Sequence, residues 1–500
     1  MSNFDISCNQ PNIIYILADD LGYGDVSCYN PDGKIHTPNL DRLAKQGKRF
    51  TNAHANSAVC TPTRYGIITG RYCWRSELKS SVIGGYTPAL IENDRMTVAS
   101  FLKDNGYQTA CIGKWHLGMD WTQQNGEKVK DYKGFTEINN IDFNHPIENG
   151  PTTNGFDYYY GISGSLDMPP YAYIENDAVT EIPDRTTKMM GGKEFWREGW
   201  TAPNFKHVEV LEHLTDRAID YIADQAKSRA PFFLYLPLPA PHGPILPTEK
   251  YIGASNTNLY GDFVVMMDDM IGRILDSIDN ANITENTIIV FTSDNGCSPI
   301  ANFKELAEAD HSPSYKFRGH KADIYEGGHR IPFIVRWPAK VEADTIDNGI
   351  ICLTDLLRTC SDMLDTSLPD NAGEDSFSFL PRLTDSSEDT LTRPYTVLHS
   401  FNGSFAIRMD DWKLEMCPGS GGWSFPYPGS DDEADLPLIQ LYNLADDISE
   451  QHNLQHLYPD KVSIMKKQLA ECIEMGRSTP GERQQNSPTD EGWPGIEWLH

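Results

Sequence analysis

The sequence lacks several features that would assign the chain to a particular class. No apolar run approaches ~18 residues, the length that spans a bilayer, so we expect no transmembrane segment. The longest apolar runs, such as IIYIL and FFLYL, have the length of buried strands. The ten cysteines include no C-x-x-C pair and form no recognisable disulfide framework, so a structural zinc site is not expected.

Basic residues are scarce relative to acidic ones. Lys and Arg total 42 against 71 Asp and Glu, which gives a formal net charge of -29. Binding to nucleic acid needs a basic face, so we expect no nucleic-acid partner. Such a charge favours solubility, and an anionic substrate would require a site that is locally positive.

An export signal is also missing from the first residues, MSNFDISCNQPN, which do not show a charged segment followed by an apolar one. Either the protein is cytoplasmic, or an export signal has been removed. We expect a periplasmic or secreted protein that has lost its signal, with a cytoplasmic location as the alternative.

Short apolar segments alternate with helical patterns up to about residue 365. This alternation predicts an α/β fold with a large, mostly parallel sheet flanked by helices. The predicted strands are 12–18, 109–113, 232–237, 287–292 and 333–337. The predicted helices are 37–50, 62–70, 96–105, 208–227 and 258–280.

Changes in composition suggest how the chain is divided. Residues 122–206 are rich in Tyr, Asn, Gly and Pro, and we interpret them as an irregular insertion with functional loops. A polar, acidic stretch near 366–387 separates a catalytic domain, 1–380, from a small α+β C-terminal subdomain, 381–500. In that subdomain, 406–416 predicts two strands around an Asp-Asp turn, and 460–475 predicts an amphipathic helix.

Polar side chains follow four of the predicted strands, at the sheet edge where open α/β sheets bind ligands. In chain order they are Asp19 and Asp20, Lys114 and His116, His242, and Asp294 and Asn295. An isolated Asp-Asp pair is often only a cap or a turn. Two oxygen-rich groups on one edge, however, predict a site for a hard cation such as Ca²⁺ or Mg²⁺. Lys114 and His116 are two apart, so we expect both on one face of a strand end.

Cys60 opens the stretch CTPTRYGIITGR, which has a helical pattern. Pro62 suits a first helical turn, and Arg64 lies four residues on, so it shares a face with Cys60. The helix N-terminus and Arg64 together would hold an anion. The thiol is predicted to be either a low-pKa nucleophile or a buried structural residue.

Lys321 lies in the glycine-rich loop RGHKADIYEGG and adds a further cation, unless it is only a solvated surface lysine. A divalent cation, basic side chains and two histidines suit a small, charged oxyanion ester. The positive groups neutralise charge on the transferred group, and a histidine can protonate the leaving oxygen.

These motifs resemble those of the type I, formylglycine-dependent sulfatases. CTPTRYGIITGR resembles their signature Cys-x-Pro-x-Arg followed after five residues by Gly-Arg, although Thr63 stands where Ser or Ala is commoner. ILADDLG, GKWHLG, SDNG, the Lys321 loop and YNLADDISEQHNL also occur in the family's order, across about residues 11–460. The resemblance implies an alkaline-phosphatase-like fold and the activity of a sulfuric ester hydrolase.

The resemblance also implies the cofactors. In the family this cysteine is oxidised to Cα-formylglycine, which for Cys60 implies a formylglycine-generating or sulfatase-maturating enzyme that acts on the unfolded chain. One hydroxyl of the hydrated aldehyde attacks sulfur, and the second then releases the sulfate. One Ca²⁺ per chain is implied, with Asp19, Asp20, Asp294, Asn295 and the modified Cys60 as its ligands.

The catalytic roles follow from the matching motifs. Arg64 and Lys114 are implied to hold the diol, and Lys114 and Lys321 to hold sulfate oxygens. His116 is implied to act as the base on the second hydroxyl, and His242 to protonate the leaving oxygen.

One further segment gives information about the substrate. Residues 161–177, GISGSLDMPPYAYIEND, resemble a segment of bacterial arylsulfatase A-like and N-acetylgalactosamine-6-sulfatase-like enzymes. This implies a sulfated carbohydrate, with galactose- or N-acetylgalactosamine-type units favoured. The candidate substrate contacts are loop residues flanking the site, namely Asp167, Tyr171, His311, Arg318 and His320.

Two other functions stay open on the sequence. A phosphonate monoester hydrolase or phosphodiesterase of the same superfamily would share the Asp-rich site, but those with two metals need further His and Asp ligands that the sequence does not reveal. A sulfated-glycan-binding protein that has lost activity would keep the fold without forming formylglycine.

Overall fold

The structure is a computed structural model that describes residues 10–130, 140–384, 393–488 and 493–499; the N-terminal segment discussed above, with Cys8, lies outside them. The strands of these residues are β1 Asn12–Asp19, β2 Lys48–His54, β3 Gln108–Lys114, β4 Tyr158–Ile162, β5 Ile174–Glu175, β6 Ala178–Val179, β7 Arg185–Met189, β8 Trp196–Thr201, β9 Phe232–Pro241, β10 Thr287–Ser293, β11 Arg330–Arg336, β12 Thr345–Asp347, β13 Ile351–Cys352, β14 Thr396–His399, β15 Phe405–Met409, β16 Trp412–Glu415 and β17 Gln440–Asn443.

Their α-helices are α1 Pro38–Lys45, α2 Cys60–Thr69, α3 Val98–Asp104, α4 Val210–Gln225, α5 Leu259–Asn280, α6 Phe303–Glu308, α7 Glu326–His329, α8 Leu356–Met363, α9 Leu380–Thr384, α10 Asp431–Ala434 and α11 Pro459–Glu474. Among the described residues, none of these helices combines the length and the apolar composition needed to cross a bilayer.

One large sheet organises most of the chain, in the order β12-β2-β11-β10-β1-β9-β3-β4-β5-β6, with β13 beside β2. Its centre, β10-β1-β9-β3-β4, is parallel, whereas β11 and β5 pair antiparallel with their neighbours. Strands at the centre of a parallel sheet are covered on both faces, which is why β1, β9 and β10 are buried along their whole length.

Two apolar cores lie on opposite faces of this sheet. Ile14 and Ile16 of β1 belong to the core under α1, α4 and α5, whereas Ile13 and Leu17 belong to the core under α2, α3 and α8. Successive side chains of a strand point to opposite faces, so the continuous apolar run of β1 supplies both cores. The predicted sheet with helices on both faces is confirmed.

A second sheet, β14-β15-β16-β17, is antiparallel and lies in the C-terminal part of the chain. The predicted pair of strands around the Asp-Asp turn corresponds to β15 and β16, and the predicted amphipathic helix corresponds to α11. Tyr72 and Trp74 from the N-terminal part join this subdomain's core, so the two parts share apolar packing.

Three expectations about the elements need correction. The helix predicted at 37–50 ends at Lys45, and β2 begins at Lys48, because the alternating residues after Gly47 pair with β11. The helix predicted at 62–70 begins at Cys60 itself. The region 122–206 is not wholly irregular, because it contains β4, which extends the large sheet beside β3; its residues 131–139 lie outside the described part.

Candidate active site

The carboxyl ends of four parallel strands bring the predicted polar groups together. β10, β1, β9 and β3 are neighbours in the sheet, and the polar groups follow where each of them ends. The loop that carries Lys321 is attached to the same edge, because Lys321 N donates to Cys297 O at 3.0 Å and Ala322 N donates to Ala58 O at 2.8 Å. Short strand-end segments and one loop thus surround Cys60.

Asp19 and Asp20 lie at the centre of the site and are paired with different lysines. Lys114 Nζ lies 2.7 Å from Asp19 Oδ2, and Lys321 Nζ lies 2.7 Å from Asp20 Oδ1. Asp20 has a φ of 64°, a left-handed conformation that is uncommon for residues other than glycine. Asn295 Nδ2 donates to Asp20 Oδ1 at 2.8 Å and so helps to hold the carboxylate in place.

Arg64 links the remaining carboxylate to this pair. Its Nη2 lies 2.7 Å from Asp294 Oδ2 and 3.3 Å from Asp19 Oδ1. The site therefore matches three carboxylates with three basic side chains, all of them buried. A divalent cation would make such a balanced site positive, which suits an anionic ester even in a chain of net charge -29.

The two aspartates bridged by Arg64 differ in pKa. Burial favours the neutral form of Asp19, but Lys114 and the other nearby cations outweigh it and hold the pKa of Asp19 well below its usual range. Burial and the charge of Asp19 raise the pKa of Asp294 to about 6. As the pH falls, Asp294 is therefore protonated before Asp19, which lies next to Cys60.

Cys60 is the first residue of α2 and is 2% exposed. Its Sγ lies 3.7 Å from Asp19 Oδ1 and 3.5 Å from Lys321 Nζ. Of the two predicted alternatives, the thiol is buried and the low-pKa nucleophile is wrong, because burial outweighs the nearby lysines and raises the pKa of Cys60 to about 12. An unmodified Cys60 would be protonated at neutral pH and therefore a poor nucleophile.

His116 lies beyond the end of β3, with a φ of 56°. Since β3 ends at Lys114, alternation along a strand does not relate the two side chains as predicted. His116 Nε2 lies 2.7 Å from Ile83 O and must donate to it, which assigns the proton to that nitrogen. Within the described residues, Nδ1 is buried and has no hydrogen-bond partner. Burial and the neighbouring Lys114 and Arg64 hold the pKa of His116 well below its usual range, so the ring offers a neutral acceptor.

His242 lies on the more open side of the site, with 13% of its side chain exposed. Its Nδ1 lies 2.5 Å from Gly243 O and donates to it, while Nε2 lies 3.6 Å from Asp20 Oδ2. Nε2 is therefore the ring nitrogen that faces the site. His242 is thus placed to exchange a proton close to solvent.

The residues present fit a hard divalent cation. Asn295 Oδ1 is buried and has no hydrogen-bond partner among the described residues, as a carbonyl reserved for a cation would be. One potential ligand atom from each of Asp19, Asp20, Cys60 and His242 lies within 4.8 Å of the others. His242, which the sequence suggested only as an acid, therefore also lies close to where a cation would bind.

The candidate substrate contacts do not form one group. Tyr171 and His311 are 1% and 3% exposed. The Tyr171 hydroxyl donates to Arg197 O at 2.7 Å, and the His311 ring lies between Asp25 and the amide of Lys34. Both side chains thus support neighbouring segments, and their contact with substrate stays a prediction.

The other three candidates are half-buried and differ in their surroundings. Asp167 pairs with Arg197, and the guanidinium of Arg318 lies 3.9 Å from the Tyr325 ring. His320 lies closest to the site, since it precedes Lys321, and its Nε2 lies 3.1 Å from Ser424 Oγ. Their contact with substrate stays a prediction.

Sequence reasoning missed the groups that support the site. The Tyr260 hydroxyl donates to Asp25 Oδ2 at 2.5 Å and lies 3.3 Å from Asp20 O, so it braces the backbone of that residue. Tyr260 belongs to the apolar pattern of α5, which carries no sign of such a role. Asp25 could have been noticed, because it follows DDLGYG closely and is fully buried.

Comparison with known proteins gives a consistent result. The family model described as Sulfatase matches residues 11–366. The chain is 33% identical to an N-acetylgalactosamine-6-O-sulfatase of Bacteroides thetaiotaomicron, over 93% of each chain. It is 27% identical to an N-acetylgalactosamine-6-sulfatase of Canis lupus familiaris, over 95% of this chain and 88% of that one.

Solved structures share the fold. A 6S-sulfatase structure concerned with glycosaminoglycan metabolism in Bacteroides thetaiotaomicron has a TM-score of 0.79 and 31% identity, and the match covers 92% of this chain and 98% of that chain. A structure of a protein in complex with a neocarrahexaose has a TM-score of 0.69 and 23% identity, over 98% of this chain and 97% of that chain. The second likeness concerns the fold alone.

Proposed function

Because the chain belongs to the sulfatase family, we propose that it hydrolyses the O-sulfate ester of a sulfated carbohydrate, and specifically the 6-O-sulfate of a galactose- or N-acetylgalactosamine-type unit. The observation that carries the proposal is the position of Cys60 between Asp19 and Lys321 at the carboxyl edge of the sheet. The names of the relatives, N-acetylgalactosamine-6-sulfatases from a bacterium and a mammal, support the choice of sugar.

The nucleophile is the formylglycine made from Cys60. When hydrated, this group supplies one hydroxyl to attack sulfur and a second to release the sulfate. The raised pKa of the thiol supports the modification, because the unmodified side chain would not ionise near neutral pH. At 2% exposure within α2, Cys60 is out of reach of another protein, so the maturation enzyme acts before the chain folds.

The basic side chains orient the reacting groups. Lys321 Nζ lies 3.5 Å from Cys60 Sγ, and Lys114 and Arg64 contact the two carboxylate oxygens of Asp19, whose Oδ1 lies 3.7 Å from the same sulfur. These three groups are held by carboxylates, so they need no rearrangement to hold an oxyanion as charge develops on it. Their burial keeps water away and strengthens the interaction.

The two histidines move protons at different places. His116 Nδ1 is the unpartnered acceptor next to Lys114 and Arg64, so it accepts the proton of a hydroxyl on residue 60. His242 Nε2 lies beside Asp20 on the exposed side, and the doubly protonated ring donates its Nε2 proton to the leaving sugar oxygen. The backbone carbonyls decide which nitrogen does this: His116 Nε2 donates to Ile83 O and leaves Nδ1 as the acceptor, and His242 Nδ1 donates to Gly243 O and leaves Nε2 as the nitrogen that carries the transferred proton.

Asp19, Asp20, Asp294 and Asn295, together with the modified Cys60, would hold one Ca²⁺. Their donors are oxygens, the type that Ca²⁺ prefers, and Asn295 Oδ1 supports this with its free acceptor. The cation would supply charge neutralisation for the sulfate group. A periplasmic or secreted location, where sulfated polysaccharides are encountered, belongs to the same proposal.

The test combines mass spectrometry and kinetics. Protein co-expressed with a formylglycine-generating enzyme should show a loss of about 18 Da on the peptide that contains Cys60. The modified protein should release sulfate from 6-sulfated galactose or N-acetylgalactosamine faster than from other sulfated sugars. Phosphonate monoester or phosphodiester turnover without sulfate release would favour the hydrolase alternative, and an unmodified Cys60 would favour the inactive glycan binder.

A further inference from the structure

Exposed aromatic side chains are concentrated in one short segment of the C-terminal subdomain. Trp423, Phe425 and Tyr427 are 38%, 65% and 58% exposed. Among the described residues, Tyr458 is the one other aromatic residue with comparable exposure. Single exposed apolar residues are common on protein surfaces, but three large exposed rings within five residues form a patch, and such patches often mark binding sites. Residues 423–427 are called the aromatic segment below.

The aromatic segment adjoins the proposed active site. Lys321 Nζ lies 5.9 Å from the centre of the Trp423 ring, and the same Nζ contacts Asp20 and Cys60. Phe401 packs beside the Trp423 ring, with the ring centres 5.3 Å apart. The Trp423 ring therefore forms a wall at the edge of the site, next to the lysine proposed to hold the sulfate.

A buried aspartate connects the aromatic segment to residues 318–328, the loop that carries Lys321 and is called the catalytic loop below. Asp323 Oδ1 accepts hydrogen bonds from Trp423 N at 2.8 Å and from Ser424 N at 3.0 Å. Asp323 is 0% exposed and lies two residues after Lys321. Ser424 Oγ in turn lies 3.1 Å from His320 Nε2. These hydrogen bonds therefore hold the aromatic segment in a fixed position against the catalytic loop.

The exposed rings are also held in a limited range of positions. The Phe425 and Tyr427 rings meet edge to face, with centres 6.1 Å apart and an interplanar angle of 88°. Pro426 and Pro428 alternate with them, and each proline restricts the backbone at its position. Rings held in this way lose little conformational entropy when a ligand covers them.

We infer that the aromatic segment is a binding subsite for the uncharged pyranose ring next to the sulfated sugar; this inference rests on the proposed function. The C–H face of a pyranose is apolar and can stack on an aromatic ring, and aromatic side chains commonly line small-molecule sites. Trp423 borders the sulfated unit, and Phe425 and Tyr427 contact the neighbouring one.

The charge around the segment favours an uncharged ring. Residues 430–435 follow directly and read SDDEAD. Asp431, Asp432 and Asp435 are exposed, so they would repel the carboxylate of a uronate or a second sulfate. The subsite therefore prefers a neutral neighbour such as galactose.

The test compares three substrates in the formylglycine-containing enzyme: 6-sulfated N-acetylgalactosamine alone, the same unit linked to galactose, and the same unit linked to a uronate. In the double variant Phe425→Ala/Tyr427→Ala, we expect the KM for the galactose-linked disaccharide to rise about three- to tenfold, as loss of aromatic stacking predicts. The kcat, and both constants for the monosaccharide, should stay within about twofold of wild type. In the wild type, the galactose-linked disaccharide should have the lower KM of the two disaccharides.

Tyr458→Ala is the matched control, since it removes an exposed aromatic ring outside the segment. Binding of the galactose-linked disaccharide to Cys60→Ala, with and without the double change, is measured calorimetrically and should weaken to the same extent. Retention of the wild-type KM by the double variant would overturn the subsite. An equal or lower KM for the uronate disaccharide would overturn its assignment to an uncharged ring.

Failure of the proposed function would look different. In that case the wild-type enzyme, with Cys60 modified, would release no sulfate from any of the three sugars. The subsite would then lose its assigned ligand as well, whereas a subsite failure alone leaves wild-type turnover intact.

Discussion

Two buried clusters of this molecule contain the same kinds of side chain but differ in what surrounds them. The first is the site around Cys60. The second lies between the large sheet and the C-terminal subdomain and is called the interface cluster. It consists of His54, Glu326, His329, Arg330, Arg408, Lys413, Glu415 and Glu450. Both clusters bring histidine and carboxylate atoms close enough together to hold a metal ion.

The difference lies in the partners of the histidines. In the interface cluster, Arg408 Nη1 lies 3.0 Å from His54 Nε2, and Lys413 Nζ lies 3.1 Å from His329 Nε2. The charged groups of Arg408 and Lys413 therefore occupy the positions next to the histidine nitrogens that a metal ion would need. In the site, by contrast, His242 Nε2 faces the carboxylate of Asp20, and Asn295 Oδ1 has no hydrogen-bond partner among the described residues. Of the two clusters, the site around Cys60 is therefore the better candidate for a metal, because one of its ligand oxygens, Asn295 Oδ1, is buried without a partner among the described residues.

The largest effect is expected from the change that removes the reacting group. Cys60→Ala should lower sulfate release by more than about 10³-fold, because no other side chain can supply the same nucleophile. The unfolding temperature should change little, since only a small side chain is lost. Steady-state sulfate release and thermal unfolding measure the two effects.

Cys360→Ala is the matched control for this change, because Cys360 is equally buried but lies in the apolar core under α8. It should retain turnover. Substantial sulfate release by Cys60→Ala would contradict the proposed mechanism.

The next largest effect should be on stability and should come from the interface cluster. Lys413 Nζ lies 2.7 Å from Glu450, 3.1 Å from Glu415 and 3.3 Å from Glu326, all fully buried. Lys413→Met leaves Glu415 and Glu450 without the cation that pairs with them and should lower the free energy of unfolding by about 3–5 kcal/mol. Urea unfolding measures the change.

The exposed Lys467 pairs with Glu471 on the surface of α11, so Lys467→Met should change the free energy of unfolding by less than about 0.5 kcal/mol. Equal effects of the two substitutions would mean that the buried charges are not coupled as the distances indicate.

Removal of the metal should distinguish the two clusters, because we expect only the site around Cys60 to bind Ca²⁺. A chelator should reduce sulfate release and lower the unfolding temperature, and Ca²⁺ should restore both. At a cation concentration of 100 times its Kd, the stabilisation is about 2.7 kcal/mol. Calorimetric scans with and without Ca²⁺ give this difference.

Asn295→Ala should weaken the response to Ca²⁺, because Asn295 Oδ1 is the free acceptor in the site. His329→Gln should leave the response unchanged, because the nitrogens of His329 are engaged by Lys413, His54 and a backbone carbonyl. A Ca²⁺ response that depends on His329 would mean that the metal binds in the interface cluster and not in the site around Cys60.

The smallest effect concerns pH and the interface cluster. Burial, together with the charge of Lys413, lowers the pKa of His329 to about 3. The unfolded chain binds a proton at this residue below about pH 6.5, but the folded chain does not, so stability present above that pH is lost as the pH falls. Between pH 7 and pH 5 this residue should account for a loss of about 2 kcal/mol.

A glutamine side chain cannot titrate, so the stability deficit of His329→Gln relative to wild type should shrink by that amount at pH 5. Urea unfolding at both pH values provides the comparison. The exposed His452 offers the control substitution, His452→Gln, since 81% of its side chain is exposed. A deficit of the same size at both pH values would mean that folding does not lower the pKa of His329.

Prediction from the sequence was most successful where regular periodicity and order along the chain decide the outcome. The strand ends that carry Asp19, Lys114, His242 and Asp294 were predicted correctly, because parallel strands place their carboxyl ends at one edge. The strand Lys48–His54 was missed. Its first residues directly follow a helix and by chance continue the helical pattern, so the predicted helix was extended into the strand.

The sequence by itself determined which residue types reach the sheet edge, since short motifs and strand periodicity are local properties. Only the tertiary structure decided their chemical state. The pKa of Cys60 rises because the whole surrounding fold removes water from it, and no local motif encodes that. Trp423 lies beside the catalytic loop although 100 residues separate it from Asp323. Desolvation and long-range contact depend on what approaches from every direction, which a pattern along one chain does not specify.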